Sequence, residues 1–168
     1  MVEPAPNAAA PRAGASETDE TLGLSLPIPA AGSSGLSLFR VAAVAGRTYP
    51  AVRFEIESER VADFARAIGA DPSDGVPPTF AAVYSLGVTA PQLFGDDEAA
   101  VDFARLLHAE QEFEWRRHPR VGETVTSQAR VASDTSRRGI RFVSFETDTS
   151  DERGSIVCRS RALFVIRS

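Results

Sequence analysis

The run Pro77-Pro78-Thr79-Phe80-Ala81-Ala82-Val83-Tyr84-Ser85-Leu86-Gly87-Val88-Thr89-Ala90-Pro91 carries no charged side chain. Thr79 stands where a capping hydroxyl is wanted, and Pro91 lacks the amide that would continue a helix. The pattern predicts a helix over 80–90, capped by Thr79 and stopped by Pro91. A helix with no polar stripe is expected to be buried on all sides. In a short chain the simplest cover for such a helix is a sheet curled around it.

Upstream of this run, Val52, Phe54 and Ile56 alternate with Arg53, Glu55 and Glu57, the pattern of a half-buried strand. Ser58 is placed to cap a short helix. Val61, Phe64, Ala65 and Ile68 recur at helical spacing, and Gly69 ends the series. Residues 70–78 hold three prolines and a glycine, which predicts a loop.

Downstream, the chain reads as an antiparallel meander. Over 106–116, Leu107, Ala109, Phe113 and Trp115 fall on one face, and His108, Glu110, Glu112 and Glu114 on the other. Val125, Ser127, Ala129 and Val131 alternate with polar residues. Turns over 134–139 and 149–154 lead to strands over 140–147 and 156–166. The predicted order is strand, short helix, buried helix, then four strands. This is an α+β arrangement with a curled antiparallel sheet around a central helix.

Residues 1–45 are rich in Ala, Pro, Gly and Ser and have no aromatic residue before Phe39. They are read as a disordered tail, because they cannot bury enough apolar area to offset ordering entropy. The stretch 36–45 is more apolar and could dock on the domain or extend the first strand. The domain is expected over 46–168. The opening Met1-Val2-Glu3-Pro4 has neither the basic nor the apolar region of a secretory signal, so a cytoplasmic location is expected.

The 168 residues carry a net charge of −5, which disfavours nucleic acid and anionic membrane as partners. All positive charge is arginine, so a lysine Schiff base or lysine general base is excluded. Cys158, the only cysteine, sits in the alternating run of the last strand and reads as a small core residue. It rules out an internal disulfide and a thiolate zinc site within one chain. No metal and no cofactor is expected.

Four motifs occur in order: Phe64-Ala65-Arg66-Ala67-Ile68-Gly69-Ala70-Asp71-Pro72, then Pro77-Pro78-Thr79-Phe80, then Leu107-His108-Ala109-Glu110-Gln111-Glu112-Phe113-Glu114, then Arg120-Val121-Gly122-Glu123. Together they resemble the MaoC-like dehydratase N-terminal (FAS1-like dehydratase) hot-dog family. That family includes the non-catalytic subunits of mycobacterial (3R)-hydroxyacyl-ACP dehydratases. The resemblance covers essentially the whole domain and implies the hot-dog fold, an acyl-CoA or acyl-ACP substrate, and edge-to-edge pairing with a catalytic hot-dog subunit or with itself.

The resemblance also sets out what dehydration of a 3-hydroxyacyl thioester requires. Catalytic members carry an aspartate and a histidine in the loop after the first helix, to move the α-proton and the departing hydroxyl. Amide donors at a buried helix start hold the charge on the thioester carbonyl. Asp71 falls at the aspartate position, as a catalytic remnant or as a turn-forming residue before Pro72. No histidine follows it: Ser73, Asp74 and Gly75 stand there, and the family's longer insertion is missing. Pro77, Pro78, Thr79 and Phe80 are the expected thioester-facing helix start. Tyr84 and Gly87 line either the core or an acyl channel. His108 with Glu110 is the alternative acid–base pair.

Three functions remain open at this point. The chain is the non-catalytic channel subunit of a (3R)-hydroxyacyl-thioester dehydratase in fatty-acid, long-chain lipid or polyketide metabolism. Alternatively it is a self-sufficient homodimeric hydratase or thioesterase, or a non-enzymatic acyl-thioester binding module. Arg116, Arg117, Arg120, Arg137, Arg138 and Arg141 could meet CoA phosphates or an acidic carrier protein, or simply be solvated.

Overall fold

The computed structural model describes residues 40–41 and 44–167. Its long strands are set by tight turns. Arg138 and Gly139 both have positive φ, 51° and 75°. That combination makes a type I′ turn, whose twist matches the strands it joins. It links β4 (Thr124–Arg137) directly to β5 (Ile140–Ser150). The turn expected over 134–139 is thus shorter, and Asp134 lies buried inside β4. In the next turn, Asp151 accepts from the Arg153 and Ser155 amides at 3.0 and 2.9 Å, and β6 (Ile156–Arg167) follows.

β6 pairs with β5 on one side and with β3 (Leu106–Trp115) on the other. The sheet order is β1-β4-β5-β6-β3, with every pairing antiparallel. β1 (Arg40–Val41) and β2 (Val52–Glu55) both pair with β4, and Thr48 bridges Arg130 between them. Residues 40–41, 48 and 52–55 therefore close one edge of the sheet piecewise. Val44 is buried in the core. The rest of the tail expected over 1–45 lies almost wholly outside the described residues. The order of strand, two helices and four strands is as expected.

α1 (Ser58–Ala67) buries Val61 and Ala65, and Gly69 at φ 76° follows it. Ser58 is not its cap: Glu57 holds that position, without a side-chain hydrogen bond.

The charge-free helix departs from expectation in three ways. Pro77, not Thr79, heads it, in keeping with the preference for proline at the first helical position that Pro78 then fills. A 3₁₀ turn (Pro78–Phe80) passes into a π-helical segment (Ala82–Gly87), and α2 (Val88–Phe94) continues it. Pro91 therefore lies inside the helix instead of ending it. A proline ring crowds the carbonyl four residues back, here that of Gly87, and the wider π turn ending at Gly87 accommodates it. Nor is the helix buried all round: Ala82, Gly87 and Pro91 are exposed, and Val83, Leu86 and Val88 are half-buried. The sheet covers one side of the helix and leaves the other open.

On the covered side the core has two centres. Phe80, Ala81 and Tyr84 pack with Ile56, Val61, Val125, Val157 and Cys158. Ala90 and Leu93 pack with Val131, Val143, Phe145, Ala162 and Phe164. Between them, buried hydroxyls tie helix to sheet. Ser127 Oγ donates to the Tyr84 carbonyl at 2.7 Å. Ser85 Oγ meets Ser160 Oγ at 2.6 Å, and Thr89 Oγ1 meets Thr147 Oγ1 at 3.2 Å. Each hydroxyl has a partner, which removes the penalty of burying it unpaired.

β3 carries a bulge. His108 pairs with Phe164 and Glu110 with Leu163, so Ala109 is the extra residue. Directly opposed residues share a face of an antiparallel sheet. Leu106 and His108 thus join Gln111, Phe113 and Trp115 on the helix side, while Glu110, Glu112 and Glu114 face outward. This corrects the alternation expected for 106–116: Leu107, expected inside, is 62% exposed, and His108 and Glu110 lie on opposite faces.

Candidate functional site

The loop after α1 is built by local hydrogen bonds. Asp71 caps a single 3₁₀ turn, Pro72–Asp74. Its Oδ1 accepts from the Ser73 amide at 2.8 Å and from the Ser73 hydroxyl at 2.7 Å. These two donors, the amide first, hold the Asp71 carboxyl below the usual aspartate range. Asp71 is exposed and ionised, and its described hydrogen bonds both come from its own turn. A general base for proton abstraction needs a proton affinity nearer neutrality.

Neither histidine joins it in a hydrogen-bonded pair among the described residues. The His108 ring lies 5.3 Å from that of Phe164, and the His118 ring lies 5.6 Å from that of Trp115. These contacts sit toward opposite ends of β3, roughly 20 Å apart at the strand rise.

The predicted substrate-facing residues divide by burial. Pro78, Thr79 and Gly87 are exposed, and Pro77 is half-buried. Phe80 is fully buried, with its ring 5.2 Å from Phe64 and 6.3 Å from both Phe54 and Tyr84. It anchors the helix start in the core. Tyr84 is also buried, its Oη beside Cys158 and Trp115 but without a hydrogen-bond partner. Burial raises its hydroxyl pKa well above the ordinary value. Trp115 Nε1 and Gln111 Oε1 are likewise buried and unpartnered. All three belong to the seam between the helix and the inner face of β3. Sequence reading missed Gln111 here, although it shares the parity of Phe113 and Trp115, because a lone polar residue in that row carries no signal of burial.

Arg117 and Arg141 are tied into the structure. Arg117 binds Glu123, with Nη1 to Oε2 at 2.9 Å, and Asp151 at 3.0 Å. Arg141 is held by Asp134 and by the Ala99 carbonyl, at 2.6–2.8 Å. Arg116 lies 2.8 Å from Glu114.

A concavity of about 900 Å³ opens on the outer sheet face, where Glu112, Glu114, Glu146, Asp148, Arg130, Arg159 and Arg161 line it. Its charged lining is unlike the apolar surface an acyl chain needs. Among the described residues no group of three His, Cys, Asp or Glu could hold a metal ion, and no helix is long and apolar enough to cross a membrane.

A curled antiparallel sheet around one central helix defines the hot-dog class. The 3R-hydroxyacyl-ACP dehydratase complex HadBC of Mycobacterium tuberculosis superposes with a TM-score of 0.60 at 19% identity, covering 75% of this chain and 99% of that one. The ChsH1–ChsH2 complex of Mycobacterium tuberculosis superposes with a TM-score of 0.56 at 12% identity, covering 72% and 84%. Residues 43–160 match the family described as FAS1-like, dehydratase domain region, and the chain belongs to that family. A UPF0336 protein of Leifsonia xyli subsp. xyli is 31% identical over 116 residues, 69% of this chain and 72% of the relative.

Proposed function

We propose that this chain is the non-catalytic, channel-forming subunit of a (3R)-hydroxyacyl-thioester dehydratase. It pairs with a catalytic hot-dog subunit in the cytoplasm, and the pair acts on acyl-ACP or acyl-CoA in fatty-acid, long-chain lipid or polyketide metabolism. The observation that carries this reading is the loop after α1. Asp71 is tied to Ser73, and Ser73, Asp74 and Gly75 stand where the family's catalytic members place a histidine.

Two further features support it. The helix leaves Ala82, Gly87 and Pro91 exposed on an uncharged face, suited to an acyl chain at a subunit boundary. The solved structures of similar fold include two complexes named for paired components. In this reading residues 46–168 work as one hot-dog domain, with Pro78, Thr79 and Gly87 nearest the substrate. The self-sufficient alternative is weakened by the β3 bulge, which turns His108 and Glu110 to opposite faces.

The test is hydration of crotonyl-CoA and longer trans-2-enoyl-CoA by the purified full chain, followed by loss of enoyl absorbance. A folded sample is expected to show no turnover alone. Turnover alone, abolished in His108→Ala, would replace this reading with the self-sufficient enzyme.

A further inference from the structure

The outer face of the sheet carries charge in rungs that run across the strands. In one rung the register sets Arg130 opposite Glu146, Glu146 opposite Arg161, and Arg161 opposite Glu112. The ion pairs follow the register: Arg130 to Glu146 at 2.5 Å and Arg161 to Glu112 at 2.6 Å. In the next rung Asp148, Arg159 and Glu114 stand in order, with Arg159 3.3 Å from Asp148. Sign alternates from strand to strand, and both rungs end on a glutamate of β3. Glu110, one step along, faces Leu163 and has no cation opposite it.

β3 is the terminal strand, and among the described residues nothing pairs with its free edge. Beyond the bulge its outward positions are Glu110, Glu112 and Glu114, all exposed. Suppose a second copy pairs antiparallel about a two-fold axis centred anywhere from Glu110 to Glu114. Directly opposed residues share a face. Every such register then sets glutamate against glutamate, with side chains roughly 5 Å apart. Such opposition is destabilising, and acidic edges of this kind are a known means of blocking unwanted strand pairing.

Resting on the auxiliary-subunit reading above, we infer that the β3 edge selects its partner by charge. It disfavours a second copy of this chain and takes a hot-dog subunit whose edge strand presents arginine or lysine on the outer face. That cation would be the next member of each rung, continuing the alternation across the seam. The glutamates therefore act through specificity, penalising the wrong partner as well as favouring the right one.

The test measures self-association of the full chain by analytical ultracentrifugation at about 50 mM and about 500 mM salt, conditions that bracket strong and weak screening. The wild type is expected to self-associate weakly at low salt and more tightly at high salt. The Glu110→Gln/Glu112→Gln/Glu114→Gln variant is expected to pair at least about tenfold more tightly at low salt and to lose the salt response. Should that variant not fold, Glu110→Arg replaces it, since position 110 faces only Leu163 within the sheet. Mixed with wild type, it should form mixed dimers in preference to wild-type homodimers in native mass spectrometry. Unchanged pairing in the variants, whether all are monomers or all dimers, would overturn the inference. It would leave the auxiliary reading intact, because that reading falls only if the wild type turns over enoyl-CoA alone.

Discussion

Arg141 grips Asp134 with two parallel bonds, Nε to Oδ1 at 2.8 Å and Nη2 to Oδ2 at 2.6 Å, and the Asp134 side chain is fully buried. The third arm of the guanidinium reaches the Ala99 carbonyl at 2.6 Å, tying the β4–β5 hairpin to the segment that leads into β3. Removing one partner leaves the other charged, buried and unpaired. Arg141→Ala is therefore expected to cost about 3–5 kcal/mol, read as a lowered urea midpoint. A loss below about 1 kcal/mol, the size seen for surface pairs, would show that the pair is solvated.

Ser127 Oγ donates to the Tyr84 carbonyl at 2.7 Å and contacts Thr149 Oγ1 at the same distance, in a fully buried site. Ser127→Ala is expected to cost about 1–3 kcal/mol, because it removes both buried hydrogen bonds of the Ser127 hydroxyl and leaves the Thr149 hydroxyl without that partner. Denaturant unfolding measures the loss. Hydrogen exchange should show it concentrated in the π-helical segment, whereas an evenly spread effect would argue against a local tie.

The pair Arg117–Glu123 predicts how stability responds to acid. The Arg117 guanidinium beside Glu123 holds its carboxyl below the usual glutamate range, and the Arg120 amide, 3.0 Å away, adds to this. The folded-state value is thus lower than the unfolded one, so the unfolded chain binds the proton more readily. The pair's contribution is complete above about pH 4.5 and is lost as pH falls through the folded-state value. Arg117→Ala is expected to lower stability at pH 7 and to narrow its gap to wild type as pH falls toward 3. A gap that stays constant across that range would exclude the linkage.

Burial pushes the Cys158 thiol up to about 11. At pH 8 the folded protein should react with Ellman's reagent only through unfolding, while a sample in guanidinium reacts at once. Fast labelling of the native protein would mean that the seam between Tyr84, Trp115 and Cys158 opens readily.

How much of this was legible beforehand depended on range. Alternation over 52–57 and 156–166 and the charge-free run over 79–91 are local patterns with one low-energy reading, so strand, helix and strand order followed from them. The loop after α1 could also be read in place, since Asp71 bonds only two residues away. The π-helical segment, the exposed face of the helix and the β3 bulge could not. A proline reads locally as a stop, yet α2 runs through Pro91 after a wider turn that Ser127 and Ser160 tie to the sheet.

The amino-acid sequence by itself determined the hot-dog arrangement and the acidic character of the 110–114 stretch, since each rests on spacing within a few residues. Only the tertiary structure decided which way Leu107 and His108, just before that stretch, face. One extra residue, Ala109, reverses the parity of β3 ahead of it. It turns His108 to the helix side and Leu107 outward, parting His108 from Glu110, because side-chain direction in a strand is fixed by its partner's register and not by its own alternation.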